Sequence, residues 1–549
     1  MTRRLVRTGI QLLVFASVFI FVLLFIDRRY TVLPASIHSH LPAHHPGLVI
    51  TDITVESCSG LNLISSCRLD PDRWHRIEKD LYLKKGWLPT KAFVHIRRSR
   101  EEDLTEDDKV VIDVKVGRTN PTLGDKEESS AQWELRPGQI WLKRSVKKHE
   151  SDSKRAVTAV DVLFGTDAVE PRPGWEIKDI PIAMDGITAG LEPKLSIRRG
   201  KPHKMEPAQP RIRKDGKFKI LQVSDLHLST GVGACREPEP AGYHGGKCEA
   251  DPRTLEFVGK MLDDEKPDMV VFSGDQVNGD TAPDSQTAIF KFAELVIKRQ
   301  IPYATIYGNH DDEGSLNRAS MMALTETLPY SVSEAGPSDI DGVGNYYVEV
   351  LVHGSGRHSA LTLYFVDSHG YSPDERNFEG YDWIKPNQIS WFKDTATALS
   401  KSETHTHYTH IHLDMAFIHI PLPEYIDPEN EVVGMVREGV TAPAFNSHFK
   451  NALVEQGISV LSCGHDHANE YCAISHDQER NPQLWMCYAG GSGFGGYGGY
   501  DGYIRRVRVF EIDTADARIT TWKRVEYPTG SEERIDEQTI VNAGKAVHQ

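Results

Sequence analysis

The chain has 549 residues, several times the ~150 of a typical domain, so two or more domains are expected. Hydrophobic residues at 39% and charged residues at 26% exclude a disordered, collagen-like or polytopic membrane chain. The 78 acidic against 63 basic side chains give −15, which argues against nucleic acid as a partner held through bulk charge.

In chain order, the first feature is residues 9–26, an uncharged apolar run close to the ~20 residues that cross a hydrocarbon core as helix. Arg3, Arg4 and Arg7 precede it, and Asp27, Arg28 and Arg29 follow. That bias predicts a cytosolic tail over 1–8, a transmembrane signal-anchor over 9–26 and a type II single-pass topology. The remainder is then expected in a lumen of the secretory pathway or vacuole, with a cytosol-facing arrangement as the alternative. A removed signal peptide is the alternative, disfavoured by the length of the run and by a poor cleavage site at its flank. Residues 27–47, rich in Pro and His, read as a stalk.

Seven cysteines allow at most three bridges. Cys58 with Cys67, and Cys235 with Cys248, each flank a Gly/Ser/Pro-containing loop. Such local pairs suit disulfides and an oxidising lumen, reduced thiols being the alternative. No N-x-[ST] glycosylation acceptor occurs, which points the other way.

Alternating runs at 109–116 (KVVIDVKV), 139–143 (QIWLK) and 156–164 (AVTAVDVLF) predict a small β-rich domain over 48–200. Residues 201–214 read as a linker. Beyond it, short apolar runs occur at 217–223, 269–272, 303–307, 361–366, 415–420, 458–461 and 484–488, as strands buried on both faces should show. Ile289, Phe292, Ala293 and Val296 keep helical spacing, and Phe445, Phe449 and Leu453 repeat every four. Alternating strand and helix predict an α/β fold, a layered sheet with crossover helices. The tract of His405, His407, His410 and His412 reads as a solvated face. The glycine-rich 490–503 reads as a surface loop, with its tyrosines bordering a cleft as the alternative. Residues 528–549 read as a C-terminal tail.

The polar residues fall where the apolar runs stop: Ser224-Asp225-Leu226-His227, Gly274-Asp275-Gln276-Val277-Asn278, Gly308-Asn309-His310-Asp311, His419 and Gly464-His465-Asp466-His467. In α/β sheets, ligands bind beyond the carboxyl ends of strands. Carboxylate, imidazole and amide oxygen at one edge suit a pair of divalent ions with no need of sulfur. Asp225 and His227, two apart, can turn toward one ion. A carboxylate such as Asp275 can bridge two ions ~3.5–4 Å apart.

These motifs, in the order D-x-[HG], G-D-x-x-[DNY], G-N-H-[DE], an isolated His and G-H-x-H, resemble the calcineurin-like metallophosphoesterase superfamily over roughly residues 215–527. SDLHLSTG, VFSGDQVNG, YGNHDDEG, GVGNYY, VDSHGYSPDE and SCGHDH are similar to fungal dosage-dependent cell-cycle-regulator phosphatases and plant purple-acid-phosphatase-like proteins. The resemblance implies a layered β-sheet core with flanking helices. It also implies one ion on Asp225, His227 and His467 and a second on Asn309, His419 and His465, with Asp275 bridging. Purple acid phosphatases place Gly where His227 stands and a metal-binding Tyr where Asn278 stands, so two ordinary divalent ions (Mn, Fe, Zn or Mg) are expected instead. His310 is the expected catalytic acid, with Asn278 and Asp311 supporting the site. The expected reaction is hydrolysis of phosphate monoesters by a metal-activated hydroxide, with phosphoserine or phosphothreonine on proteins as substrate. A phosphodiesterase is the first alternative and a non-catalytic, membrane-tethered binding protein the second. Asp367-Ser368-His369 is expected to be structural or to support the ligands without binding metal.

Overall fold

The computed structural model describes residues 14–15, 47–59, 67–84, 90–100, 103–105, 108–123, 133–145, 155–498, 502–528 and 533–548. The expected membrane span requires correction. Among the described residues no helix is long and apolar enough to cross a membrane. Of residues 9–26 only Val14 and Phe15 are described, both helical. The rest of that stretch, with the 1–8 tail and nearly all of the stalk, lies outside the described residues. The signal-anchor, the membrane as partner and the type II placement therefore have no spanning helix behind them among the described residues.

Three small antiparallel sheets build the N-terminal part. The first holds β1 (Leu48–Ser59), β2 (His75–Arg76) and β3 (Thr90–Arg100); the second β4 (Val111–Val116), β5 (Trp133–Arg136) and β6 (Ile140–Arg144); the third β7 (Val157–Phe164), β8 (Trp175–Ile177) and β9 (Pro193–Arg199). In each the last strand is central. Alternation turns Val94, Val114, Leu142, Val162 and Ile197 into one shared core. A Cys58–Cys67 disulfide closes the loop after β1.

Two seven-stranded sheets follow. The first takes β10 (Lys217–Val223), β11 (Met269–Ser273) and β12 (Tyr303–Ile306) in parallel. The second contains β13 (Tyr346–Leu351), β14 (Ser359–Phe365), β15 (Leu413–Phe417), β16 (Glu431–Val433), β17 (Val460–Cys463), β18 (Cys472–His476) and β19 (Pro482–Tyr488). The chain then returns to complete the first sheet with β20 (Arg506–Asp513), β21 (Arg518–Val525), β22 (Ile535–Asn542) and β23 (Lys545–Ala546). Helices α1 (Ala250–Glu265), α2 (Ser285–Lys298) and α3 (Arg318–Glu326) accompany the first sheet, and α4 (Pro386–Ser400), α5 (Glu403–Thr406) and α6 (Phe449–Glu455) the second.

Alternation explains why these strands are continuously apolar. Leu361, Leu363, Phe365, Met415 and Phe417 join Phe218, Phe272 and Val509 in the larger core. Their neighbours Tyr364, Val366, Ala416 and Ile418 pack with Phe392, Phe449 and Leu453 of α4 and α6. Both faces are covered, so the polar residues that do occur inside must pair, as Ser462 of β17 does by donating to Gln222 of β10.

Some local readings differ. Phe445 is not on a helix: α6 starts at Phe449 because His448 takes φ +61. Instead Phe445 packs on Trp383, 4.8 Å between ring centres. The stretch read as a tail carries β22 and β23, whose Ile540, Val541 and Ala546 enter the core. A third disulfide, Cys472–Cys487, joins directly paired residues of β18 and β19, beside the Cys235–Cys248 bridge.

The β-rich part is bolted to the start of α2. Tyr82 donates to the Pro283 carbonyl at 2.7 Å and the Phe164 amide to Thr287 Oγ1 at 3.1 Å. Lys79 Nζ stands 3.1 Å from Asp284 and 3.5 Å from Asp161, and Arg172 lies 2.9 Å from Asp161. Burial alone would raise the Asp161 carboxyl, but Lys79 and Arg172 hold it below the usual carboxylate range. Lys79→Ala leaves the buried Asp284 and the largely buried Asp161 short of a cation and is expected to cost about 3 kcal/mol in denaturant unfolding. Because the folded pKa of Asp161 is depressed, its contribution is full above the ordinary ~4 of a carboxylate and lost as pH falls through the folded value. The gap between wild type and variant should therefore close in acid.

Candidate metal centre

Five parallel strands from the two sheets deliver the polar residues. Asp225 and His227 follow β10, Asp275 follows β11, Asn309 and His310 follow β12, His419 follows β15, and His465 and His467 follow β17. At the strand ends the backbone leaves extended geometry abruptly: Asp225, His227, Asp275 and His465 take φ of +56, +47, +52 and +76. Left-handed backbone costs a side-chain-bearing residue about 1–2 kcal/mol, so the surroundings must impose it. Hydrogen bonds do so: the Asp225 amide donates to the Gly274 carbonyl at 3.0 Å and the His227 amide to the Asp275 carbonyl at 2.9 Å.

Two clusters result. Asp225, His227 and His467 place ligand atoms within 4.8 Å of one another, as do Asp275, His419 and His465, and all six residues are buried. His227 Nε2 is 3.0 Å from His467 Nε2, and His467 Nε2 is 3.5 Å from Asp225 Oδ1. Asp275 Oδ2 connects the two, 3.2 Å from His419 Nε2 and 3.7 Å from His227 Nε2.

The donor set fits a pair of divalent ions. His419 Nδ1 sits 2.9 Å from the Ser273 carbonyl and His467 Nδ1 2.8 Å from the Tyr497 carbonyl. Each Nδ1 therefore carries the proton, and Nε2 keeps its lone pair for a metal. Asn309 Nδ2 donates to the Tyr371 hydroxyl at 3.2 Å, which presents its Oδ1 to the site. Among the described residues, Asn309 Oδ1, His419 Nε2 and His465 Nε2 are buried with no hydrogen-bond partner, an arrangement that a cation resolves. Burial pushes His227 and His465 down to about 3, so both are neutral, as ligands must be. Burial also pushes Asp225 up to about 7, while Asp275 and Asp225 lift His419 to about 9 against its own burial. Without a cation the carboxylates borrow a proton to meet their need for positive charge.

Supporting residues lock this geometry. Asp311 accepts from the amides of Asp275 (2.8 Å), Val277 (2.8 Å) and Gly308 (2.6 Å), tying the β11 and β12 loops together. Ser368 Oγ accepts from the His419 and Ile420 amides, and Asp367 pairs with the Arg318 guanidinium that also holds the Gly308 carbonyl. His310 Nδ1 pairs with Glu313 at 2.8 Å rather than with Asn278, which lies in the cleft wall. Burial opposes protonation of His310, yet Asp275 and Glu313 together raise its pKa.

Two partners escape a sequence reading, Glu313 and Tyr371, while Tyr497 lines the cleft as the alternative reading of the glycine-rich stretch had it. For Glu313 a signal existed, since a turn after Gly-Asn-His returns the third residue to the imidazole. The glycine-rich segment is not a surface loop. Residues 491–496 are buried, and the Tyr497 ring stacks on His467 with centres 3.9 Å apart. In the histidine tract, His405 and His412 are largely buried around Thr362 Oγ1, at 3.3 and 2.9 Å, rather than solvated.

The calcineurin-like phosphoesterase profile matches residues 218–469. Over 343 residues the chain is 35% identical to the probable inactive purple acid phosphatase 14 of Arabidopsis thaliana, covering 58% of this chain and 83% of that one. It belongs to the calcineurin-like phosphoesterase family. Phosphatase DCR2 of Saccharomyces cerevisiae is 40% identical over 386 residues, 67% of this chain and 64% of DCR2, so the chain spans just under two thirds of that relative. Probable inactive purple acid phosphatase 28 of Arabidopsis thaliana is 32% identical over 64% of this chain and 92% of its own length. Two Asp/His triads in a calcineurin-like phosphoesterase fold are consistent with metal-dependent hydrolysis of phosphoric esters. The family's glycine before Asn309 has a physical reason here: a Cβ on Gly308 would overlap Asp275 Oδ1 and stand 2.5 Å from His419 Nε2. Gly308→Ala is expected to displace both ligands and cut metal content by at least one ion per chain, read by elemental analysis of the folded protein.

Proposed function

We propose that this chain is a dinuclear-metal phosphatase hydrolysing phosphate monoesters, phosphoserine and phosphothreonine on proteins among them. The observation that carries the reading is Asp275 Oδ2, within reach of His227 in one triad and of His419 in the other. Asp225, His227 and His467 would hold one ion, Asn309, His419 and His465 the second, and Asp275 both. Bound divalent ions would supply charge neutralisation for the phosphoryl oxygens and an acidified water. The protein's own part is positional and acidic. With Nδ1 on Glu313, His310 has Nε2 left to hand a proton to the departing alcohol oxygen. Its amide donates to Asp275 Oδ1 at 2.8 Å, fixing the imidazole relative to the carboxylate.

The cleft over these residues measures about 180 Å³ and includes Tyr381, Thr441 and Tyr497. That is below the ~300–1,000 Å³ of pockets that engulf a small molecule. It suits a phosphoryl group whose parent molecule stays outside, as a phosphorylated protein would. The test is a panel of phosphopeptides, p-nitrophenyl phosphate and bis-p-nitrophenyl phosphate with the Mn-, Fe-, Zn- or Mg-loaded full chain. Monoester turnover that disappears on chelation and returns with metal is expected; cleavage of the diester alone would overturn the reading. The plant relatives are named as probable inactive enzymes, so a metal-holding protein without turnover is the second reading. Two bound ions with no hydrolysis of any phosphoester would establish it.

A further inference from the structure

Among the described residues lining the cleft, Arg236 is the one lysine or arginine. It is exposed, and its guanidinium makes no ion pair or side-chain hydrogen bond among the described residues. Its backbone, by contrast, is pinned. The Arg236 amide donates to the Phe494 carbonyl at 2.8 Å, its carbonyl accepts from Arg505 at 2.9 Å, and the preceding Cys235 is bridged to Cys248. Buried Arg505 also donates to the Gly493 and Gly496 carbonyls. A Cβ on Gly496 would strike both His227 and His467, so this segment lies directly against one metal triad. Arg505 thus clamps the Arg236 loop and the metal-facing glycine segment into one unit. The positive charge reaches the site, since Arg236 adds to the burial that lowers His227.

A pinned backbone with a guanidinium unpaired among the described residues, over a metal cleft, is the arrangement of a residue waiting for an anion. We propose that Arg236 binds the non-bridging phosphoryl oxygens of the substrate and selects dianionic monoesters over diesters. This deepens the phosphatase reading and rests on it for the substrate. The guanidinium presents parallel N–H donors that match two oxygens of one phosphate. A monoester near neutral pH carries about −1.5 to −2 charge with three terminal oxygens. A diester carries one charge and two terminal oxygens, and its second alcohol competes for the same small cleft.

The test uses the metal-loaded full chain and inorganic phosphate as the probe, measured by calorimetry alongside metal content. Arg236→Ala is expected to keep both ions and weaken phosphate binding roughly 10- to 100-fold, the range for losing hydrogen bonds to a charged group. Arg236→Lys keeps the charge without the fork and should fall between. In turnover, kcat/KM for p-nitrophenyl phosphate should drop with Arg236→Ala while that for bis-p-nitrophenyl phosphate changes less than about threefold. Unchanged phosphate affinity with both ions bound would overturn the proposal. Loss of metal from both variants would overturn it too, since Arg236 would then be holding the metal site. A wild type that binds phosphate but turns over no ester would refute the phosphatase reading, and the phosphate affinities would still decide Arg236.

Discussion

Asp275→Asn is expected to leave the protein with one ion or none and to lower phosphomonoester turnover more than about 10³-fold, beyond the ~10–100-fold typical of residues that only orient ligands. One carboxylate here does three things. Its Oδ2 faces both His419 and His227, its Oδ1 accepts from the His310 amide, and its charge lifts His419 to about 9 against burial. An asparagine keeps one oxygen but turns an NH₂ toward imidazole nitrogens that need a cation, and it removes the negative charge that draws the metals. The fold should survive. The amide of residue 275 still donates to Asp311, and the left-handed conformation at φ +52 is one that asparagine tolerates well. Elemental analysis and circular dichroism on the same sample check the prediction, and a folded variant with two ions and full turnover would remove Asp275 from the centre.

How much of this was legible in the sequence depends on which force placed each residue. Strands such as β11, buried along its whole length, announce themselves as apolar runs, and residues 217–223 of β10 are bounded the same way by sequence and structure. The motif residues at the ends of β10, β11, β12, β15 and β17 were legible for the same reason: a polar residue directly after such a run has nowhere to go but the sheet edge. Contacts across long separations were not legible. Tyr497 stacking on His467, Tyr82 reaching Pro283 and Arg505 clasping Arg236 are set by how loops from different sheets meet. The 490–503 stretch misled because glycine usually marks an exposed turn. Here it marks crowding, since a Cβ at Gly493, Gly495 or Gly496 would collide with Leu226, His227 or His467. The last strands misled for the opposite reason, because polar Asp536, Glu537 and Gln538 mask an edge pattern whose Ile540 and Val541 are fully buried.

His310→Ala is expected to retain both ions and to lower turnover of phosphoserine peptides by about 10²–10⁴-fold, the usual weight of a general acid. His310 supplies no atom to either triad, so metal content should not follow activity, in contrast to Asp275→Asn. The loss should depend on the leaving group. An alkoxide such as that of serine needs a proton as the bond breaks, whereas p-nitrophenolate departs unaided, so p-nitrophenyl phosphate should be far less affected. The acid must be protonated to act, so activity falls as pH rises through the His310 pKa, which Asp275 and Glu313 hold above its ordinary value against burial. Glu313→Gln takes away one of those two carboxylates. The alkaline limb of the kcat profile should then move to lower pH, while His310→Ala should abolish the limb. An alkaline limb that stays in place in both variants would assign the proton to another group.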